Sequence, residues 1–276
     1  MSLTAEIPEV VDRPPPPARR WTGARIAGWI IVGLWIALGL GIVAYLIGAW
    51  NPDLVRRYAP NYLSGLIVTI QLVAISVVLG AILSVPIAYA RMSRRLILTA
   101  PAYAYVYFFR GTPLLAQTFL IYYGLGQFRG PLESVGLWWF FRDAWYCGLF
   151  AFTLNTAAYQ AEILRGAVQS VGRGQWEGAA ALGLSKLQTL RLVIVPQALI
   201  VALRPYGNEI ILMIKGSAIV AIITVYDLMG ETRRAYSRSF DFQTYIWAAL
   251  IYLAIVEALR NAVDAIERRL TRHLKR

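Results

Sequence analysis

Arg110, Arg204 and Lys215 each stand among apolar neighbours, and a cation in such a setting can hold a carboxylate away from water. At 100° per residue, Arg204, Asn208 and Lys215 fall within about 40° of one another, so one helix face would present all three. Lys215, near the middle of its apolar stretch, and Asn208 are candidates to line a path for a polar solute. The alternative for Lys215 is an ion pair with Glu209 or Glu162 that merely holds helices together, while Arg204 could reach back to an aqueous boundary. Arg110 opens an Arg-Gly-Thr-Pro run, where it would either face the solute or donate to carbonyls that Pro113 leaves unpaired. Glu162 and Arg165 are three residues apart, the spacing of an ion pair on one helix face, which competes with a role for Glu162 as a solute ligand.

Covalent and metal chemistry is poorly provided for. One cysteine, Cys147, and one histidine, His273, rule out a disulfide within the chain and a Cys/His zinc cluster. A Ser-His-Asp triad would have to recruit His273 from a basic tail. The lysines are Lys186, Lys215 and Lys275, and none follows a glycine, so there is no phosphate-binding loop of the Walker type. The chain cannot by itself bind a nucleotide in the usual P-loop way, and no cofactor or metal is expected on it.

The elements that must position these residues follow from composition. Of 276 residues, 58% are apolar and 15% charged, against about 45–50% and about 25% in soluble domains. No charge occurs between Arg25 and Asp53, Arg57 and Arg91, Arg110 and Arg129, or Asp143 and Glu162. Crossing a bilayer as a helix takes about 20 largely apolar residues, which these gaps reach or approach. The net charge of +12 could serve nucleic acid or an anionic membrane surface. Basic residues segregated into the gaps between apolar runs, and not interleaved with aromatics on one face, exclude nucleic acid.

The chain therefore reads as an all-α, polytopic membrane bundle of about six spans: Ile26–Trp50, Tyr62–Ala90, Pro101–Leu125, Ala144–Ala167, Ala198–Tyr226 and Phe242–Val263. The third should bend at Thr112-Pro113, and Trp29, Tyr45 and Trp50 sit where interfacial anchors would. With the N-terminus in the cytoplasm, 17 of the 27 basic residues fall inside and 7 outside, so the positive-inside rule places both termini in the cytoplasm. The expected organisation is a disordered tail over 1–24, an extra first helix with its outer loop over 25–57, a transport domain over 58–266 and a basic tail over 267–276.

Within that domain the cytoplasmic loop 169–196 is too ordered for a linker. Glu177 to Leu182 favours a helix that Gly183 would stop. A second short helix over Ser185–Val193, capped by Ser185, would end before Pro196. Glutamate, two small residues, glycine six places after the glutamate and proline thirteen beyond it form a pattern carried here by Glu177, Gly178, Ala179, Gly183 and Pro196. This resembles the "EAA" signature of bacterial ABC-importer permeases, with Gly178 standing where the signature has alanine. Phe109 to Leu115, Asn155 to Tyr159 with Glu162, and Asn208 to Met213 resemble the polar amino-acid branch of that family, nearest to permeases for histidine, lysine/arginine/ornithine and opines.

The resemblance implies a division of labour. The permease, a multi-pass protein of the bacterial inner membrane with a five-helix core plus the extra first helix, supplies the path and has no catalytic site of its own. A separate ATPase subunit, acting as a dimer, binds ATP and Mg and receives the Glu177–Leu190 segment as a coupling helix. A second permease subunit, homologous or identical, and a periplasmic solute-binding protein complete the importer. On the same basis Lys215, Asn208, Arg110, Glu209 and Glu162 become candidates for the translocation path. A secondary carrier driven by an ion gradient is the rival reading, and it would call for inverted repeats and titrating intramembrane carboxylates.

Overall fold

The computed structural model describes residues 22–272, and every regular element among them is helical. Residues 1–21 and the tail from His273 onward lie outside the described residues. The chain divides into two units, Met1–Asn51 and Pro52–Arg276. The first contains α1 (Gly23–Gly48), whose 26 residues carry no charge beyond Arg25. At about 1.5 Å per residue it is long enough to cross a bilayer.

The second unit holds the remaining helices. α2 (Pro52–Met92) runs for 41 residues, starting at Pro52 and not near Tyr62 as the apolar pattern indicated. α3 (Leu96–Gly111) and α4 (Leu114–Phe119), the latter followed by a π-turn over Leu120–Gly124, make up the expected third span. The anticipated bend is a full break, because Pro113 ends one helix and starts the next. Short helices α5 (Arg129–Ser134) and α6 (Trp138–Phe141) lead into α7 (Ala144–Ser170), capped by Asp143, whose carboxylate accepts from the Trp145 N–H at 2.8 Å. α8 (Arg173–Ala181) and α9 (Lys186–Thr189) form the loop between α7 and α10 (Val195–Ser217). A 3₁₀ turn over Ala218–Ile223, then α11 (Leu228–Ser239) and α12 (Gln243–Leu270) complete the fold.

α7 is the centre of the bundle. Ala151, Phe152, Ala157, Ala158 and Ala161 on it are fully buried, and small residues let its neighbours come close. Gly80 of α2 lies so near that a Cβ there would stand 2.5 Å from Thr156 Cγ2, and Gly207 of α10 meets Val263 of α12 in the same way. Among the described residues, four helical runs are long and apolar enough to cross a membrane by length and composition: Gly23–Gly48, Pro52–Met92, Lys186–Ile223 and Gln243–Leu270. α7 is as long, but Asn155, Thr156 and Gln160 bury polar groups against the bundle and make it less apolar.

Candidate functional site

At one end of the bundle α8 and α9 form a knob. α8 begins after Gly172 and ends in a Schellman turn: Gly183, at φ +72°, donates to the Ala180 carbonyl and Leu184 to that of Ala179. Ser185 then caps α9 with a reciprocal bond to Gln188. The expected stop before Pro196 is not made. A π-turn over Leu190–Ile194 carries α9 directly into α10, with Pro196 in the first turn. Proline is tolerated there because it has no N–H to leave unpaired, and the wider turn removes the demand for one. A small core of Ala167, Val171, Ile194, Ala198 and Ala202 joins the end of α7 to the π-turn and α10 at the base of the knob, and Gln175 of α8 is bonded to Gln197 of α10 at 3.1 Å.

What the knob shows to solvent is apolar as well as charged. Ala179 is buried, whereas Glu177, Gly178 and Gly183 are exposed, and a Cβ at Gly178 would touch nothing within 4 Å. Leu182 is 81% exposed and Leu187 74%, with Trp176 beside them. The sequence reading passed over these two leucines because leucine in an apolar chain attracts no notice. Their signal is position, in a loop that lies outside the apolar runs.

Deeper in the bundle, Glu162 gathers three guanidinium groups. Arg165 reaches Oε2 at 2.7 Å, as the three-residue spacing required, and Arg91 at the end of α2 reaches Oε1 at 2.9 Å. Arg110 is 3.9 Å away, more than 40% exposed, and lies 5.1 Å over the Tyr159 ring. Glu162 is therefore the hub of α2, α3 and α7 and not the acid of one isolated helix pair. Arg91 was counted in the sequence only as a boundary charge. Two cavities open on this hub, one of 330 Å³ against Tyr103, Tyr107 and Arg110, the other of 430 Å³ against Arg165 and Pro205. With three cations to one carboxylate, the walls carry excess positive charge. Arg110, the least engaged of the three, is the group free to meet an anion.

Arg110 does not serve the carbonyls freed at Pro113. Gln117 Nε2 lies 2.9 Å from the Phe109 carbonyl and 3.0 Å from that of Thr112, and Asn155 donates to Phe109 and to Gln117. A neutral, buried amide pair thus closes the break and leaves the guanidinium for the cavity.

The α10 residues separate. Arg204 pairs with Glu267 of α12 at 2.6 Å, and Asn208 is exposed on the same face. Glu209 is buried and accepts from Thr156 at 3.1 Å. Lys215 is exposed in the last turn of α10, which a 3₁₀ turn continues, and the pairs suggested with Glu209 or Glu162 are not made.

The family of binding-protein-dependent transport system inner membrane components matches residues 76–272. The chain belongs to that family. This permease is 42% identical over 224 residues to the nopaline transport system permease protein NocM of Agrobacterium fabrum, covering 81% of its own length and 93% of the relative's. It is 38% identical to the arginine ABC transporter permease protein ArtM of Haemophilus influenzae, over 72% and 88% of the two chains. Among solved structures, an amino acid ABC transporter crystallised with histidines superposes with a TM-score of 0.69 at 35% identity, over 78% of this chain and 96% of that one. The MetNI methionine ABC transporter, at 19% identity and a TM-score of 0.61, shares the fold.

Proposed function

We propose that this permease forms the membrane path of an ATP-driven importer for a polar, amino-acid-derived solute. The relatives named for nopaline, octopine and arginine support that substrate class, and the ion-gradient carrier is not favoured. The observation that carries the coupling is the knob. Glu177, Gly178, Ala179 and Gly183 fall on that projection with Pro196 at its base in the first turn of α10, and the exposed Leu182 and Leu187 fit an apolar cleft on an ATPase better than they fit water. In this reading a pair of ATPase subunits binds ATP and Mg, and this chain holds no nucleotide. A second permease subunit and an external solute-binding protein complete the assembly in the bacterial inner membrane, with about six spans and both ends of this chain in the cytoplasm. The cavities at Arg110 and Glu162 are the candidate solute path, together with Asn208, Glu209 and Lys215.

Transport in vesicles tests this. Uptake should need the ATPase subunit, ATP and the solute-binding protein, and should survive collapse of the proton gradient. Glu177→Lys should lower ATPase association at least tenfold, read by co-purification, without loss of the folded permease. Wild-type uptake that persists without ATP would overturn the importer reading.

A further inference from the structure

At the end of the bundle opposite the knob, α11 is held by a mixture of firm and exchangeable bonds. Glu231 is buried, accepts from Asn61 of α2 at 3.1 Å and pairs with Arg234 at 3.4 Å. Arg234 also lies 5.4 Å over the Tyr226 ring. Arg233, one residue before it, is exposed and has no carboxylate partner among the described residues. Its Nη1 donates instead to the backbone carbonyl of Ala221, at 3.1 Å, inside the 3₁₀ turn that follows α10. That turn ends in Thr224, whose φ of +68° is a left-handed conformation that a β-branched residue rarely adopts. Ala221, Thr224, Arg233 and Arg234 wall a 460 Å³ cavity with Tyr226, Tyr236 and Tyr245.

We infer that Arg233 is the docking group for an acidic side chain of the external solute-binding protein, and that docking there releases the Ala221 carbonyl. A guanidinium bonded to one neutral carbonyl uses one of five donors, whereas a carboxylate takes two in parallel with charge assistance, so the incoming acid wins the exchange. The partner is a protein surface and not a free solute, because the arginine shares its cavity with exposed Tyr226, and exposed Phe240 and Phe242 pack on Tyr236 and Tyr245 of the same wall, a composition typical of protein contact centres. Arg238, also exposed on α11, adds attraction of the same sign. Once Arg233 turns outward, the 3₁₀ turn loses a restraint beside its strained Thr224, at the outer mouth of α10. Docking is thereby connected to the segment that must move for solute to enter.

This rests on the binding-protein-dependent reading above. The test uses the complete importer in nanodiscs, with the solute-binding protein in its solute-loaded form, measuring docking affinity and ATPase rate. Arg233→Gln should weaken docking at least tenfold and raise the ATPase rate without binding protein severalfold, because the restraint is lost in both respects. Arg233→Lys, which keeps the charge but not the planar fork that takes a carboxylate in parallel, should recover part of each, and wild-type docking should weaken as salt rises. Wild-type docking by Arg233→Gln and Arg233→Glu, or weakened docking with an unchanged basal rate, overturns the inference. Stimulation by free solute alone, lost in Arg233→Gln, would reassign the site to the solute and overturn it too. A wild-type importer that responds to no solute-binding protein overturns the importer reading itself, whereas a responsive wild type with indifferent Arg233 variants overturns this inference alone.

Discussion

At the α11 end of the bundle, charges are buried and backbones touch. Asp227 is fully buried at the start of α11, and a Cβ on Gly65 of α2 would stand 2.8 Å from its carbonyl oxygen. At the α8 end the reverse holds: Gly178 and Gly183 face open space, Glu177 is in solvent, and large leucines are uncovered. One end is tied together by buried groups beneath an exposed face, so moving it means exchanging internal bonds. The other is a finished rigid shape with a bare face, which can transmit force only once another chain covers it.

The largest effect that would break this contrast concerns Asp227. Its carboxylate accepts from the Gly230 N–H at 2.8 Å, yet burial dominates and pushes its pKa up to about 6. An acid held above its ordinary value binds its proton more tightly when folded, so it adds stability at low pH that is lost as pH rises from about 4 to about 6. Each tenfold change in proton affinity is worth about 1.4 kcal/mol, so the ionised form at neutral pH costs about 3 kcal/mol. Asp227→Asn keeps the cap and removes the charge. Its melting temperature in detergent should exceed that of the wild type at pH 7.5, and the two curves should converge toward pH 4. Parallel curves at all pH values would show that the charge is not buried, and the α11 end would lose its distinction.

Gly65 sharpens the same point by shape alone. Gly65→Ala forces a methyl group against the backbone of Asp227 and Leu228, which has no flexible end to yield. Overpacking of this kind costs about 2 kcal/mol, and thermal unfolding of the purified permease should show it. The shift should be accompanied by loosening of α11, read as faster hydrogen exchange there, while α8 stays unchanged.

How much of this was legible beforehand differed between the two ends. The knob was readable because its signals are local: Gly183 as a stop, Ser185 as a cap, and glutamate, glycine and proline at family spacing all lie within 20 residues. The helix that follows was misread at Pro196 because proline looks like a stop unless the π-turn before it is known. The hub at Glu162 was half legible. Its pair with Arg165 is a matter of helix spacing, whereas Arg91 and Arg110 arrive from two other helices, 71 and 52 positions away. Nothing at the α11 end could be read so directly. Gly65 opposite Asp227, Asn61 on Glu231 and Arg233 on a carbonyl depend on how the chain doubles back, which periodicity does not encode.

The smallest effect lies in the knob, where two glycines should respond with opposite sign. Gly183 has positive φ with no neighbour within 4 Å of a Cβ, so Gly183→Ala costs only backbone strain, about 1 kcal/mol. Gly178 lies inside α8 with equally open space, so Gly178→Ala should stabilise the isolated permease by about 1 kcal/mol. If the exposed face of α8 is where the ATPase seats, that gain should persist on assembly, because alanine is the residue that the resembled signature carries at this position. Thermal melts of the permease alone, set beside co-purification with the ATPase, read both. A Gly178→Ala variant that melts no higher than the wild type would show that helix propensity at this position adds nothing to α8.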